Sequence, residues 1–473
     1  MNSPHRPFTY SATHSNTHSG QNKTDNENPK PKSIFKRLFT TIDLQLFLIV
    51  LTLSIIGIIF SYSSQIQIFE TRINPYNKYI KQIFYLISGL VVMWLGSLIS
   101  YKRLAEHSHL LYLLSVLLLI YTLIAGTAVN QSRRWISLGV LSIQPSEFVK
   151  IAMIIFIANY LDKIKNQLGN LKQLFILALM IAFPLFLIIL QPDLGTAVVF
   201  LPVILMMIIM VDIKRRYLLA FAFLLVLTST LCLLLIYSQL ETAPLVLALL
   251  FKDSPVYLIW IGVFFLVISL FFFSINIRMQ NLILERIAFY SFVLASAVAL
   301  TLFTYYVLLR GYQKERLLVF LNPQDYKWDL GYNAIQSRVT IGSGGWFGKG
   351  LFNGTQSQLG FLPSKSTDFV FAVISEELGF IGASLILILF LLFLLRLVKM
   401  ALSVKDYLGG LILIGILTLF FIQIFINIGM TIGLMPVTGL PLPFLSAGGS
   451  TLWSSLLAIG IAFNVYARRH VNN

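Results

Sequence analysis

From Ile42 onward the chain repeats one pattern, an apolar run of membrane-crossing length followed by a short polar connection. About 20 residues of helix cross a hydrocarbon core, where every backbone polar group must be satisfied internally. The runs fall near residues 44–62, 82–100, 110–128, 148–161, 174–190, 197–211, 217–237, 256–275, 286–309, 369–395, 408–434 and 446–466. They predict an all-α polytopic membrane protein with about twelve transmembrane helices. Two runs, 148–161 and 197–211, are short, and each follows a Gln-Pro segment that can enter the bilayer with it.

Composition agrees: 57% of the residues are hydrophobic and 11% charged. The net charge of +16 would suggest nucleic-acid binding in a soluble protein. Here the basic residues recur in alternate connections, at Lys102/Arg103, Lys163/Lys165/Lys172, Lys214/Arg215/Arg216, Arg396/Lys399/Lys405 and Arg468/Arg469. That is the positive-inside pattern, so the partner is the membrane and no nucleic acid is expected. It places both termini in the cytoplasm and the one long connection, residues 310–368, outside. Residues 1–40 are polar and read as a disordered cytoplasmic tail without the apolar core of a secretory signal. The single cysteine, Cys232, excludes an intrachain disulfide and a thiolate zinc cluster.

Four polar clusters at run edges could carry chemistry, because lipid-facing positions exclude ionisable groups. The first joins Arg133 and Arg134 to Gln144-Pro145-Ser146-Glu147 and Lys150. Glu147 and Lys150, at i,i+3, form a structural ion pair, or the cations form an anion site for a phosphorylated lipid; both readings can hold. The second, Gln191-Pro192-Asp193, offers Asp193 as a helix N-cap. The third is the outer loop with Asp325 and Asp329 near Tyr326 and Trp328, where a dehydrated carboxylate can act as a general base or simply serve a turn. Its Gly-rich stretch, residues 341–350, is not a P-loop, since Ser343 and Gly350 stand where that motif needs Gly and Ser or Thr. A backbone nest for a lipid diphosphate remains open there. The fourth, Asn427 with the Pro/Gly-rich 436–450, reads as a broken helix lining a groove or as an outer loop. The six histidines lie in the tail or on expected cytoplasmic ends, so acid/base work falls to carboxylates, Lys or Tyr, and the residues demand no metal or cofactor.

These strings, taken in order, resemble the SEDS family (shape, elongation, division and sporulation proteins), polytopic bacterial glycosyltransferases that polymerise lipid II into peptidoglycan. The resemblance rests on Arg134-Trp135, Gln144-Pro145-Ser146-Glu147, Gln191 to Thr196, Gly331-Tyr332, Gln336-Ser337, Gly342 to Gly345, Thr367-Asp368-Phe369, Glu376-Glu377-Leu378-Gly379 and Gly439 to Pro443. Gly348-Lys349-Gly350 and Gly354 to Gln358 are similar to the elongation branch rather than the division branch. The resemblance implies a transmembrane domain over 41–470 in the bacterial cytoplasmic membrane, with a family core of about ten spans. The surplus, 241–309, reads as an inserted helix pair, and 310–368 as an extracytoplasmic catalytic loop.

It further implies an inverting transfer between lipid-linked glycans with loss of undecaprenyl diphosphate. Asp325 is then the candidate base, with Asp329 as the alternative, and Arg133, Arg134, Lys150, Arg316, Arg338 and Lys349 offset phosphate charge. Glu147, Gln336, Ser337, Asp368 and Glu377 complete the implied substrate site, and a divalent cation could share the charge. The implied partners are lipid II, the undecaprenyl-linked glycan, a class B penicillin-binding protein transpeptidase and other membrane proteins of the elongation complex. The chain departs from the family where Tyr326 replaces its usual Asp, where Ser364 and Ser366 replace Glu and His, and where Ala447 replaces Tyr. A division or sporulation polymerase of the same family, a lipid II flippase and a pure scaffold are the competing readings.

Overall fold

The computed structural model describes residues 42–66, 78–129, 132–139, 141–165, 171–211, 215–240, 256–309, 311–326 and 331–469. The expected tail, the start of the expected inserted pair and Asp329 lie outside them. A helix covers each of the apolar runs. In chain order these are α1 (Leu44–Ser63), α2 (Lys78–Leu98), a short α3 (Tyr101–Glu106), α4 (Ser108–Ala125), α5 (Pro145–Ile164), α6 (Leu171–Leu190), α7 (Leu194–Ile209) and α8 (Arg215–Tyr237). They continue with α9 (Val256–Met279), α10 (Leu282–Phe303), α11 (Gly311–Leu321), α12 (Tyr332–Ser343), α13 (Thr355–Gln358), α14 (Val370–Ser403), α15 (Tyr407–Ile432) and α16 (Gly449–Ala467). Among the described residues nine helices are long and apolar enough to cross a membrane. The protein is an all-α polytopic membrane protein.

One small element was not legible as helix or loop. Between α4 and α5 the chain forms an antiparallel sheet of β1 (Thr127–Val129), β2 (Ser132–Leu138) and β3 (Leu141–Ile143). Gly139 turns between β2 and β3 at φ +73°, as a two-residue hairpin requires of its first position. The strands are too short for a period-two pattern to stand out against the apolar runs around them.

The core is an interlock of α14, α15 and the irregular segment before α16. Phe393, Phe420 and Phe444 meet there with ring centroids 5.1 to 5.5 Å apart. Phe444 belongs to a non-helical stretch that enters the bundle, and its neighbours Leu440, Leu442 and Leu445 are buried. Irregular backbone at such depth needs partners, and side chains supply them. Asn427 donates to the Leu440 carbonyl at 2.6 Å, Gln82 donates to the Ser446 carbonyl at 3.2 Å, and the Leu442 amide donates to Ser446 Oγ at 2.7 Å.

Helices α8 to α11 share a smaller core of Leu235, Ile236, Leu258, Val298 and Tyr305. Where α8 and α10 face α6 and α7, an apolar cavity of about 390 Å³ opens, lined among others by Ile181, Leu201, Ile204, Tyr217, Phe221 and Leu300.

Candidate functional site

Helix ends gather the polar clusters of the sequence. The two Gln-Pro strings, 47 residues apart in the case of Ser146 and Asp193, meet at one carboxylate. Asp193, 4% exposed, accepts from Gln144 Nε2 at 2.9 Å, Ser146 Oγ at 3.2 Å and Thr196 Oγ1 at 2.9 Å. It also caps α7 through the Thr196 amide at 3.3 Å, the role its residue type suggests. From β2, Arg134 Nη1 approaches Asp193 Oδ1 to 3.3 Å. The Arg134 Nε is shut off from solvent and has no hydrogen-bond partner among the described residues. A buried guanidinium donor left open costs free energy unless something binds it.

Asp368 lies just before α14, in a turn where the Ser364 carbonyl accepts the amides of Thr367 and Asp368 at 3.1 Å. Its own carbonyl accepts Asn427 Nδ2 at 2.9 Å, so one buried asparagine joins this turn to Leu440. Burial pushes the Asp368 carboxyl above the ordinary carboxylate range, while the Thr367 hydroxyl and the charges of Arg134 and Arg316 pull it back. Arg316, on α11, reaches the same place and donates to the Val437 carbonyl at 3.4 Å. Two guanidiniums thus face one carboxyl of raised pKa, an arrangement suited to holding phosphate oxygens beside a proton-handling group.

The other residues singled out in the sequence are distributed around this centre. Glu147 and Lys150 form the expected i,i+3 pair at 2.9 Å, each side chain 3% exposed, with Ser454 donating to Glu147 Oε2 at 3.3 Å. Asp325 is exposed in the turn after α11 and accepts Asn322 Nδ2 at 2.6 Å. Arg133 is exposed on β2. On α12, Gln336 donates to Gln356 Oε1 at 2.6 Å, Ser337 donates to the Thr431 carbonyl, and Arg338 lies over Gly433 at the end of α15.

The Gly-rich stretch serves packing. The Lys349 amide donates to the Glu376 carbonyl at 3.0 Å, the Gly350 amide to the Glu377 carbonyl at 3.0 Å, and the Phe380 amide to the Gly345 carbonyl at 2.8 Å. The amides of Lys349 and Gly350 therefore bind the broken helix α14, and those of Gly344, Gly345 and Gly348 turn back on the stretch itself at 2.9 to 3.4 Å, rather than presenting a nest. Lys349 Nζ pairs with Glu376 Oε1 at 2.9 Å, and Glu377 accepts from Ser63 Oγ and the Phe352 amide. Asn427, Gln144 and Asp193 are the participants that residue-level reading left outside the site. Their signal was the pair of Gln-Pro strings and an Asn inside an apolar run. Among the described residues no group of three or more His, Cys, Asp or Glu stands together to hold a metal.

The fold and this site define a polytopic membrane protein whose helix ends assemble an arginine-lined polar centre. The family model described as Cell cycle protein, FTSW_RODA_SPOVE, matches residues 43–244 and 242–471. The chain belongs to this family, the SEDS proteins. It is similar to peptidoglycan glycosyltransferase RodA of Treponema pallidum (strain Nichols), with 36% identity over 438 residues, 90% of this chain and 98% of the relative. It is 33% identical to stage V sporulation protein E of Bacillus subtilis (strain 168) over 430 residues, 90% of this chain and 97% of the relative. Among solved structures it resembles a chain described under "Structural coordination of polymerization and crosslinking by a peptidoglycan synthase complex", with TM-score 0.62 and 25% identity over 91% of this chain and 99% of that one.

Proposed function

We propose that this protein is a peptidoglycan glycosyltransferase of the elongation type, which polymerises lipid II at the outer face of the bacterial cytoplasmic membrane. The observation that carries the reading is likeness over nearly the whole length to a relative named for that activity. In the proposed reaction the 4-hydroxyl of one lipid-linked disaccharide attacks the anomeric carbon of another lipid-linked glycan. The new glycosidic bond forms as the bond to the diphosphate breaks, the hydroxyl proton passes to a carboxylate, and undecaprenyl diphosphate leaves.

Asp325 is the proposed base on the ground of the resemblance, although in the structure it is exposed and accepts Asn322 Nδ2 at 2.6 Å as a turn residue does; Asp329 is the alternative. Arg134 and Arg316 offset the leaving charge, supported by their approach to Asp368. The isoprenoid chain would lie in the apolar cavity, which α7 lines through Leu201 and Ile204 about two to three turns from Asp193. Both termini face the cytoplasm in this reading. A class B penicillin-binding protein partner is supported by the resemblance to a chain of a peptidoglycan synthase complex. The test is gel analysis of glycan from purified protein and labelled lipid II, with and without the transpeptidase. A ladder that disappears in Asp325→Asn supports the assignment; full activity there with loss in Asp329→Asn moves the base, and no ladder under any condition removes the reading.

A further inference from the structure

Two lysines outside the centre described above come together without an acidic partner. Lys365 sits in the turn leading to Asp368; it is half-buried, and its Nζ donates to the Ser357 carbonyl. Lys78 opens α2, its amide held by Gln65 Oε1 at 2.8 Å and its Nζ donating to Ser366 Oγ at 3.3 Å. Burial pushes the Lys365 ammonium below the ordinary lysine range, the Lys78 charge pushes it the same way, and Glu376 alone opposes them. That carboxylate is already committed, to Lys349 at 2.9 Å and to the amides of Gln356 and Ser357 at 2.7 and 3.0 Å. Neither Lys78 nor Lys365 forms an ion pair among the described residues.

Two neighbouring ammoniums, one of them partly desolvated, raise the free energy of the fold unless an anion joins them. Among the described residues each Nζ has one acceptor, and an ammonium has three donors, so two donors on each are left for a ligand. Lys78 is exposed, which leaves the pair open to entry. Ser366, the acceptor of the Lys78 Nζ, is buried. Lys365 stands three residues before Asp368, so the two Cα atoms are within about 10 Å.

We propose that Lys78 and Lys365 form a second anion subsite, which takes the phosphate groups of a lipid diphosphate. The choice of ligand rests on the glycosyltransferase reading. A reaction that joins two lipid-linked sugars must hold two diphosphates at once, and Arg134 with Arg316 serves one. Lysine suits the second as a point charge that follows a flexible phosphate chain.

The experiment titrates farnesyl diphosphate into the full chain in detergent by calorimetry, and measures lipid II polymerisation on the same preparations. Wild type is expected to take two molecules per chain. Lys365→Gln and Lys78→Gln are expected to weaken one of the two by about tenfold and to raise the KM for lipid II more than they lower kcat. Lys365→Arg, which keeps the charge, is expected to bind as wild type. Thermal unfolding identifies a variant that fails to fold, in which case the exposed Lys78→Gln decides. Unchanged stoichiometry and affinity in a folded variant overturn the subsite even where wild type polymerises normally. Wild type that binds two molecules but makes no glycan overturns the functional reading and leaves the subsite standing. A parallel titration with phosphatidylglycerol nanodiscs separates the sources: loss of nanodisc binding with farnesyl diphosphate affinity intact makes the pair a headgroup contact and overturns the proposal.

Discussion

Arg134 and Asp193 join the small sheet to the start of α7 across 3.3 Å, and the same guanidinium extends its field to Asp368. Asp193 therefore does two things with one carboxylate. It gathers Gln144, Ser146 and Thr196 into a cap, and it fixes the position of the Arg134 guanidinium, which the proposed function uses. The Arg134 Nε stays buried and without a partner among the described residues, on the side of the guanidinium away from Asp193 Oδ1's contact with Nη1.

The two roles separate by substitution. Asp193→Asn keeps an oxygen for the α7 cap but removes the charge that orients Arg134. Polymerisation is expected to fall by at least about tenfold, the worth of a charged hydrogen bond, with little change in thermal stability. Asp193→Ala is expected to lose in addition about 1–2 kcal/mol of stability, because the cap goes as well. Activity assays with labelled lipid II and unfolding scans on both variants check this. An asparagine variant with full activity would show that the pair matters for folding alone.

If Asp368 acts in turnover beside the proposed base Asp325, it gives the reaction a pH dependence. Burial raises its pKa, and the charges of Arg134 and Arg316 lower it, with the raising effect the larger. If turnover needs the carboxylate form, the acid limb of the rate profile lies above the ordinary carboxyl value of about 4. Removing one opposing charge in Arg316→Gln raises that pKa further, so the limb moves to higher pH. In Asp368→Asn the limb disappears together with most of the activity. A limb that stays in place in Arg316→Gln would place the titrating group elsewhere.

The spans were legible because an apolar run of twenty residues has one physical solution in a bilayer, and the Glu147–Lys150 pair because i,i+3 spacing brings two side chains to one helix face. The convergence of Arg134, Asp193, Arg316 and Asp368 was not. Those residues come from three connections, with Arg316 and Asp368 at opposite ends of the longest, and no local pattern carries the distance between them. The Gly-rich stretch was ambiguous for a related reason: glycine permits a phosphate nest and close backbone packing equally, and only the facing chain decides. Here the facing chain is α14, whose helix breaks at Gly379 with φ 68° and ψ −167°. The break divides a 34-residue helix into a first part that carries Glu376 and Glu377 and a second part long enough to span.

Gly379 and Gly348 touch backbone to backbone, which no other residue type permits. A Cβ on Gly379 would stand 2.2 Å from the Gly348 amide nitrogen, in a conformation open essentially to glycine alone. Gly379→Ala is expected to destabilise the protein by more than about 3 kcal/mol, combining backbone strain with the steric clash. Gly342→Ala, where a Cβ meets nothing within 4 Å, serves as the control and is expected to change stability by less than about 1 kcal/mol. Thermal unfolding in one detergent compares them. Equal melting temperatures for the two variants would mean that the break relaxes freely and that the close approach contributes nothing.

Asp43 makes a different prediction, at the opposite end of α14. It caps α1 through the Leu46 amide at 3.0 Å and receives Arg396 Nε at 3.0 Å together with Nη2. Burial pushes its carboxyl up, but the hydrogen bonds from Arg396 and Leu46 and the Arg396 charge outweigh that and hold it below its ordinary value of 3.8. A folded-state pKa below the unfolded one means that the unfolded chain binds more protons in that interval. The stabilisation is therefore complete above about pH 4 and is lost as pH falls through the folded value. Asp43→Asn, which also leaves Arg396 without its counter-charge, is expected to cost about 2–4 kcal/mol at pH 7. Melting curves of wild type and variant should converge as pH is lowered from 7 toward 3, because protonation removes from the wild type what the substitution has already removed. A gap that stays constant across that range would assign the loss to the altered cap and exclude the ion pair as its source.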